Sequence, residues 1–177
     1  MTTPLLIPVE PILLVDRWQV REMVLSWEKV EALWEVMGKY TTLFSDLTRG
    51  DFKNFFSVLT QQRTLWFEIW EADELVGLLW LTDMELTVDA SAHMAFFDRK
   101  PAEKEPVVRE LIRWVFDHYP LHRMSCNVPR MYHATHRLVE RLGFRREGTK
   151  REAVMIHGTW DDIKMYGLLR SQQVEAQ

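Results

Sequence analysis

The sequence predicts a single domain of mixed α/β (α+β) class, built on a twisted, mostly antiparallel sheet that is flanked by helices. Its 177 residues, 47% of them hydrophobic, suit one domain with one core better than two. Segments with helical spacing of apolar residues alternate with segments of β character. No linker rich in Gly, Ser or Pro and no internal repeat divides the chain. We therefore expect one domain over residues 1–177, with a polar tail at 171–177.

A strand and two helices are predicted before residue 60. Aromatic and β-branched residues favour a strand over 18–25, after which Ser26 can cap a helix over 27–37, with Gly38 just beyond its end. Helical spacing predicts a second helix over 52–59. The candidate first residues of that helix are Ser45, Asp46 and Asp51.

From Thr64 the pattern changes to β. Three apolar runs separated by polar corners predict an antiparallel meander. The predicted strands are 65–70, 75–81 and 92–97.

The remainder alternates helices with strands. Helical spacing predicts a helix over 107–118, which Pro120 prevents from continuing. A strand is predicted at 123–128 and a second helix at 133–142, where Gly143 suits a left-handed helix cap.

A hairpin is predicted at the end of the chain. Apolar and β-branched residues predict strands over 151–156 and 159–166. Between them His157 and Gly158 suit a tight turn with positive φ.

Charge and composition exclude several function classes. Lys and Arg number 22 against 26 Asp and Glu, a net charge of −4, so no broad positive field attracts nucleic acid or an anionic membrane. A single cysteine cannot form an internal disulfide, and residues 1–10 do not resemble a secretory leader. No apolar run approaches the roughly 20 residues of a membrane span. We expect a cytoplasmic protein, either free or within a larger particle.

Three motifs identify a family resemblance. Residues 137–148 read RLVERLGFRREG, residues 151–170 contain GTWDD and YGLL, and residues 107–119 have the spacing of a helix behind a cofactor loop. These stretches resemble the GNAT superfamily of N-acetyltransferases, most closely the RimJ/RimL-like branch that acetylates ribosomal-protein N-termini. The resemblance is good from about residue 64 onward. It implies the GNAT acyl-CoA N-acyltransferase fold, acetyl-CoA as cofactor and a protein or peptide amine as acceptor.

The cofactor loop departs from the family pattern. In the family, a glycine-containing loop presents backbone N–H groups to the coenzyme A pyrophosphate at a helix N-terminus. The equivalent loop here is 98–106, where Lys100 and Ala102 replace glycines and Pro101 has no N–H. Glu103 and Glu105 add negative charge to it. The resemblance therefore implies a degenerate loop with weak or absent cofactor binding.

Side chains could replace the missing backbone contacts. Arg99, Lys100 and Lys104 are candidate phosphate ligands. The resemblance adds Ala102 of the loop and the strand that ends at Phe97, whose backbone from residue 94 would hold the pantetheine arm.

The usual acid is also replaced. The resemblance puts Tyr132 and Thr135 where the branch often has Asn and Ser, and Val139 where other members have a tyrosine acid. Tyr132 and Thr135 are therefore the candidate acids for the leaving thiolate. The alternative, non-catalytic interpretation is that Tyr132 is an aromatic residue at a helix start and Thr135 a solvated hydroxyl. Cys126 and His93 are further candidates that could line the active-site cleft implied by the resemblance. The alternative interpretation is that Cys126 is a small buried hydrophobic residue and His93 a hydrogen-bonded strand residue.

Two carboxylates, Glu68 and Glu85, are candidate bases, although nothing in their spacing singles them out. The histidine pairs 118/122 and 133/136, with Cys126 between them, lack a clear third or fourth ligand, so we predict surface histidines and no metal.

Two functions remain open at this point. The first is an N-acetyltransferase acting on a protein or peptide amine. The second, indicated by the altered loop and an excess of tryptophan and phenylalanine, is a non-catalytic GNAT-like structural or assembly subunit, for example of a phage particle, whose partners are other subunits.

Overall fold

The computed structural model describes residues 10–37, 51–60, 64–97 and 100–174. The strands within these residues are β1 (Leu13–Val15), β2 (Trp18–Glu22), β3 (Leu65–Glu71), β4 (Glu74–Glu85), β5 (Asp89–Phe96), β6 (Arg123–Pro129), β7 (Arg145–Ile156) and β8 (Thr159–Leu169). The helices are α1 (Trp27–Met37), α2 (Phe52–Leu59), α3 (Glu105–His118), α4 (His133–Arg141) and the short α5 (Arg170–Val174), with a 3₁₀ turn at Pro101–Lys104. None of the described helices has both the length and the hydropathy to cross a membrane.

The strands form one mixed sheet in the order β1-β2-β3-β4-β5-β6-β8-β7. Neighbouring strands are antiparallel except β5 and β6, which are parallel. The predicted antiparallel meander and late hairpin are confirmed. The chain crosses from β5 to β6 through α3, as a parallel pair requires.

Each face of the sheet carries its own helices because side chains alternate along the strands. On one face α3 and α4 pack over the larger core cluster, which includes Phe67, Leu81, Leu111, Val115, Val139 and Tyr166. On the other face α1 and α2 pack over a second cluster, which includes Leu33, Phe55, Trp66, Leu78 and Trp80. Helices therefore cover both faces of the sheet.

The first two helices begin and end as the sequence predicts. Ser26 caps α1, since its Oγ accepts from the Lys29 N–H at 3.2 Å. Asp51 caps α2 by accepting from the N–H of Lys53 at 2.8 Å and, more weakly, of Asn54 at 3.4 Å. The alternative caps Ser45 and Asp46, and also Gly38, lie outside the described residues.

Some segments differ from the prediction. The strand predicted over 18–25 ends at Glu22, because Met23 is the last residue bonded to β3, through Trp66, and Val24 is 66% exposed. Three elements were not predicted: β1, the 3₁₀ turn and α5, each at most five residues long. Residues 171–174 of the expected tail are helical, and the Leu169 N–H donates to the Gln172 Oε1 at 3.1 Å.

Gly143 ends α4 in the left-handed conformation that the sequence predicts. Its φ is +96°, its N–H donates to the Glu140 carbonyl at 3.1 Å, and the next N–H, of Phe144, donates to the Val139 carbonyl at 3.0 Å. This bond pair is a Schellman motif. The turn between β7 and β8 is also confirmed, since His157 and Gly158 both have positive φ, 53° and 74°.

Replacing Gly143 with valine is expected to lower the free energy of unfolding by about 1–3 kcal/mol, because a β-branched residue is strained at this φ. A Cβ there would meet only the Leu168 Cδ1, at an ordinary 3.5 Å, so the loss reports conformation rather than a clash. Gly143→Asn is the matched control, since asparagine tolerates positive φ and should lose less. Thermal and urea unfolding measure both, and equal stability of all three proteins would contradict the role of this cap.

Candidate functional site

The central feature of the sheet is a gap between β5 and β6. These parallel strands share one register pair, Ser91 with Ser125, close to the start of each strand. Beyond it β5 continues to Phe96 and β6 to Pro129 with no further pair. The two strands therefore diverge, and their facing edges form an open cleft.

Within the described residues, the β5 edge of the cleft carries backbone groups that β6 does not pair with. Phe97, just past the strand, donates its N–H to the Val76 carbonyl of β4 at 2.9 Å. Because alternate residues of an antiparallel strand direct their N–H and C=O to opposite sides, those of Met94 and Phe96 point away from β4, toward the gap. An extended ligand with amide groups can bond to this edge as an added strand would.

The first turn of α4 stands at the wide end of the cleft. Tyr132 follows β6 directly, its N–H donates to the Pro129 carbonyl at 3.1 Å, and its own carbonyl accepts from the His136 N–H at 3.1 Å. Both predicted acids, Tyr132 and Thr135, are half-buried here. The two hydroxyls thus belong to one helical turn beside the cleft, and their role as acids stays a prediction.

A buried hydrogen-bonded network fixes that turn. The His136 Nε2 lies 3.0 Å from the Pro129 carbonyl, which can only accept, so Nε2 carries the proton. The Nδ1 is 2.9 Å from the Tyr166 hydroxyl, which is 3.3 Å from a Glu140 carboxylate oxygen. Burial lowers the pKa of His136 and raises that of Tyr166.

The prediction of surface histidines is wrong for His136, which is 5% exposed and bonded on both ring nitrogens. Its neighbour His133, with a ring centroid 6.5 Å away, is exposed. Among the residues that the structure describes, no three histidine, cysteine or acidic side chains form a cluster that could hold a metal.

The start of α3 has few free backbone donors. Within the 3₁₀ turn the Glu103 N–H donates to the Lys100 carbonyl at 3.2 Å, and the Glu105 N–H donates to the Ala102 carbonyl. Pro101 and Pro106 have no N–H. The backbone amides that would hold a pyrophosphate in the family are therefore mostly absent or already bonded.

The charged side chains around this turn are paired with each other. Glu103 contacts Arg17 at 3.1 Å and Lys100 at 3.7 Å. Glu105 contacts Arg109 at 2.8 Å and Arg141 at 3.8 Å. These two glutamates therefore offset about half of the positive charge of the four cations that contact them.

The predicted phosphate ligands are in different environments. Lys104 is fully buried, with its Nζ 5.6 Å from the Trp18 ring, whereas Lys100 is exposed. Ala102 lies in the 3₁₀ turn and Phe97 packs against the second core cluster. Arg99 lies outside the described residues. The phosphate role of these residues stays a prediction.

Three aromatic rings line the sheet on the α1/α2 face. Trp66 stacks on Trp80 with centroids 4.7 Å apart, and Trp80 stacks on His93 at 5.3 Å. The rings belong to β3, β4 and β5 in register. His93, at the end of the row, is next to the cleft edge.

The other candidate acids and bases are buried, ion-paired or remote from the cleft. Glu68 is 4% exposed and forms an ion pair with Lys29 of α1. Glu85 lies at the far end of β4, beside the turn to β5. Burial raises the pKa of Cys126 to about 12, so its thiol is protonated at neutral pH.

A depression of about 510 Å³ lies at the other end of the molecule, lined by His118, His122 and Arg170 among others. The Arg170 guanidinium donates to the carbonyls of Tyr119 at 2.5 Å and Leu121 at 2.7 Å. Its cation therefore holds the segment before β6, away from the cleft.

Comparison with known proteins gives one sequence relative and many structural ones. No protein-family model matches the chain. The probable N-acetyltransferase YjcK of Bacillus subtilis is 28% identical over 101 residues, which are 55% of this chain and 56% of that protein. The match thus spans about half the length of the relative.

The solved structures match over nearly the whole chain. The spermidine N-acetyltransferase of Vibrio cholerae, solved with CoA and spermine, is 16% identical with a TM-score of 0.75, over 90% of this chain and 99% of that one. RimL, a ribosomal L7/L12 α-N-protein acetyltransferase solved with coenzyme A, is 17% identical with a TM-score of 0.74, over 90% and 98%. At such identities the likeness establishes the fold.

Proposed function

We propose, since the chain has the fold of the GNAT N-acetyltransferases, that it transfers an acetyl group from acetyl-CoA to the amine of a protein, a peptide or a polyamine. The observation that carries this proposal is the cleft between β5 and β6, which opens immediately after the pair Ser91–Ser125. The β5 edge, which β6 leaves open beyond this pair, suits the amide-containing arm of a pantetheine thioester. The names of the structural relatives support an amine as the acceptor.

In this proposal, separate groups of the chain bind the cofactor arm, donate a proton and position the donor. The backbone of Met94 and Phe96 binds and orients the arm, and acetyl-CoA when bound supplies an activated thioester. The hydroxyl of Tyr132 or Thr135, on the first turn of α4, donates a proton to the departing thiolate. The His136 network holds that turn against Pro129.

The pantetheine arm of acetyl-CoA fits this protein better than its pyrophosphate does. The arm fits the cleft, whereas the pyrophosphate meets a helix start with few free amides and two glutamates. Lys100, Arg99 and Ala102 are proposed to supply what phosphate contact remains, whereas the fully buried Lys104 does not reach a bound phosphate. We therefore expect affinity to come mainly from the pantetheine arm.

Calorimetry with coenzyme A and thiol release from acetyl-CoA test the proposal, with spermidine and a short peptide with a free amino terminus as acceptors. We expect heat of binding and amine-dependent thiol release. A double variant, Tyr132→Phe with Thr135→Val, should lose about 10²–10⁴-fold in kcat while binding coenzyme A unchanged. Tyr119→Phe, a tyrosine remote from the cleft, is the matched control.

Absence of binding at about 1 mM coenzyme A, an affinity weaker than about −4 kcal/mol, would contradict this function. It would favour the second candidate, a non-catalytic subunit of an assembly. The observation behind that candidate is the ion-paired, amide-poor start of α3. Light scattering and recovery of a partner would then be the decisive measurements.

A further inference from the structure

Three side chains form a hydrogen-bonded chain that ends beside the cleft. The Thr82 Oγ1 is 3.1 Å from the Asp83 Oδ2 and 3.0 Å from the His93 Nε2. A carboxylate only accepts, so Thr82 donates its proton to Asp83 and its oxygen accepts from the Nε2–H. The arrangement leaves the lone pair on the Nδ1 of His93.

The backbone is shaped to make this chain possible. Pairing of β4 with β5 shifts between Thr82 and Glu85, which marks a bulge. Within the bulge Asp83 has a φ of +50°, a conformation that few residues other than glycine adopt and that aspartate tolerates. The bulge keeps the carboxylate next to the Thr82 hydroxyl, instead of on the opposite side of the strand.

His93 stands where an acceptor would approach. It precedes Met94, whose backbone faces the cleft, and its ring stacks on Trp80, on the α1/α2 face of the sheet. The start of α3, the cofactor end of the site, belongs to the opposite face. If acetyl-CoA binds from the α3 side of the sheet, the acceptor amine approaches from the α1/α2 side. The half-buried His93 lies on that side.

The charged state of His93 also suits proton acceptance. Burial lowers its pKa and the charge of Asp83 partly opposes this, so the ring is neutral at neutral pH. Within the described part of the chain, Trp80 stacks on the ring and Thr82 bonds to it, and neither side chain carries a charge. The carboxylate Glu68 on the same face is already paired with Lys29.

We propose that His93 is the general base of the acetyl transfer, with Thr82 and Asp83 as positioning residues; this rests on the proposed function. The amine nitrogen forms a bond to the thioester carbonyl carbon and gives its proton to the His93 Nδ1. The carbon–sulfur bond breaks, the sulfur keeps the electron pair and takes one proton from the α4 hydroxyl. That hydroxyl and His93 then exchange one proton through solvent, so charge and atoms balance.

The first test is kinetic. His93→Gln keeps an N–H for Thr82 but has no basic nitrogen, and should lower kcat/KM for spermidine or the peptide by about 10²–10⁴-fold. Affinity for coenzyme A, measured by calorimetry, should not change. The matched control is His118→Gln, since His118 also stacks on a tryptophan, Trp114, at the remote end of α3. It should retain wild-type activity.

Two readouts separate catalysis from folding. Imidazole added to His93→Ala should restore part of the lost rate. Protonation of the acceptor amine lowers kcat/KM at acid pH in both proteins, and the additional fall that protonation of His93 causes in the wild type should be absent from His93→Gln. Nitrogen-15 NMR of the wild type, which requires no substrate, should show the proton on the Nε2. Thr82→Val should disturb that tautomer and lower kcat by about tenfold, consistent with loss of one positioning bond.

The outcomes discriminate between this inference and the function. Transfer by the wild type that persists undiminished in His93→Gln, or a proton on the Nδ1, would overturn the role of His93 and leave the acetyltransferase intact. A wild type that binds coenzyme A but transfers to neither acceptor would overturn both. Loss of transfer in His93→Gln, with binding intact and rescue by imidazole, would support the assignment.

Discussion

Replacing Lys29 with methionine is expected to lower the free energy of unfolding by about 3–5 kcal/mol, because it leaves the Glu68 carboxylate buried without its counter-ion. The Lys29 Nζ contacts the Glu68 Oε1, and the two side chains are only 8% and 6% exposed. A second donor, the Trp70 Nε1, bonds to the other carboxylate oxygen at 3.1 Å. One neutral donor cannot replace the lost charge.

The double variant Lys29→Met with Glu68→Leu is the matched control. A buried ion pair gains little over well-packed apolar residues of similar volume, so the double variant should recover most of the stability that either single change loses. Urea unfolding of the four proteins gives the coupling energy. A loss below about 1 kcal/mol in both single variants, or simple additivity, would show that the pair is solvated or uncoupled.

The same variants report on the site, because the pair joins α1 to β3 on the face that carries Trp66, Trp80 and His93. If acceptors enter from this face, a loosened α1 should raise KM for the amine. The affinity for coenzyme A, held on the other face, should be unaffected. This contrast tests the assignment of the two faces.

Local chemistry made much of the fold predictable from the sequence. The caps at Ser26 and Asp51, the turn at His157-Gly158 and the left-handed Gly143 depend on neighbours a few residues away. The helices were also predictable, because the spacing of apolar residues along a helix depends on residues only three or four positions apart. Short elements such as β1 and α5 have too few residues to show a periodicity and depend on tertiary pairing.

The site was predictable only where its parts are local. The resemblance of the motif before Gly143 indicates Tyr132 and Thr135, whose role as acids stays a prediction, and Pro101 indicates the amide-poor loop. The contact of Arg17 with Glu103 spans 86 positions, so no spacing rule indicates it. The bond between Thr82 and His93 likewise requires the β4 bulge, which the sequence pattern does not show.

Restoring the family pattern in the loop is expected to raise affinity for coenzyme A. The variant carries Lys100→Gly, Pro101→Lys, Ala102→Gly and Glu103→Ile. Pro101→Lys returns one backbone N–H. Glu103→Ile removes a negative charge and one of the two carboxylates that contact Arg17, at 3.1 Å, while Glu71 remains at 3.0 Å. The two glycines allow the backbone to approach a phosphate.

The size of the gain follows from two opposing effects. Hydrogen bonds to a charged phosphate contribute about 1.5–3 kcal/mol each, whereas ordering each loop residue costs about 1–2 kcal/mol. Two new bonds against the ordering of two loop residues leave a net gain of about 1.5 kcal/mol, or roughly tenfold in Kd. Glu103→Gln alone is the control for charge, because it removes the carboxylate and leaves Pro101 in place.

Calorimetry with two ligands decides the matter, since pantetheine contains the arm and lacks the pyrophosphate. In the parent protein coenzyme A and pantetheine should bind with similar affinity, because the arm supplies most of the contacts. In the loop variant only coenzyme A should bind more tightly. A parent that prefers coenzyme A over pantetheine by 100-fold, about 2.7 kcal/mol, would show that the loop with Arg99 and Lys100 already forms a working phosphate site. Lys100→Glu should then abolish that preference, because the exposed ammonium of Lys100 would be replaced by a charge that repels the phosphates.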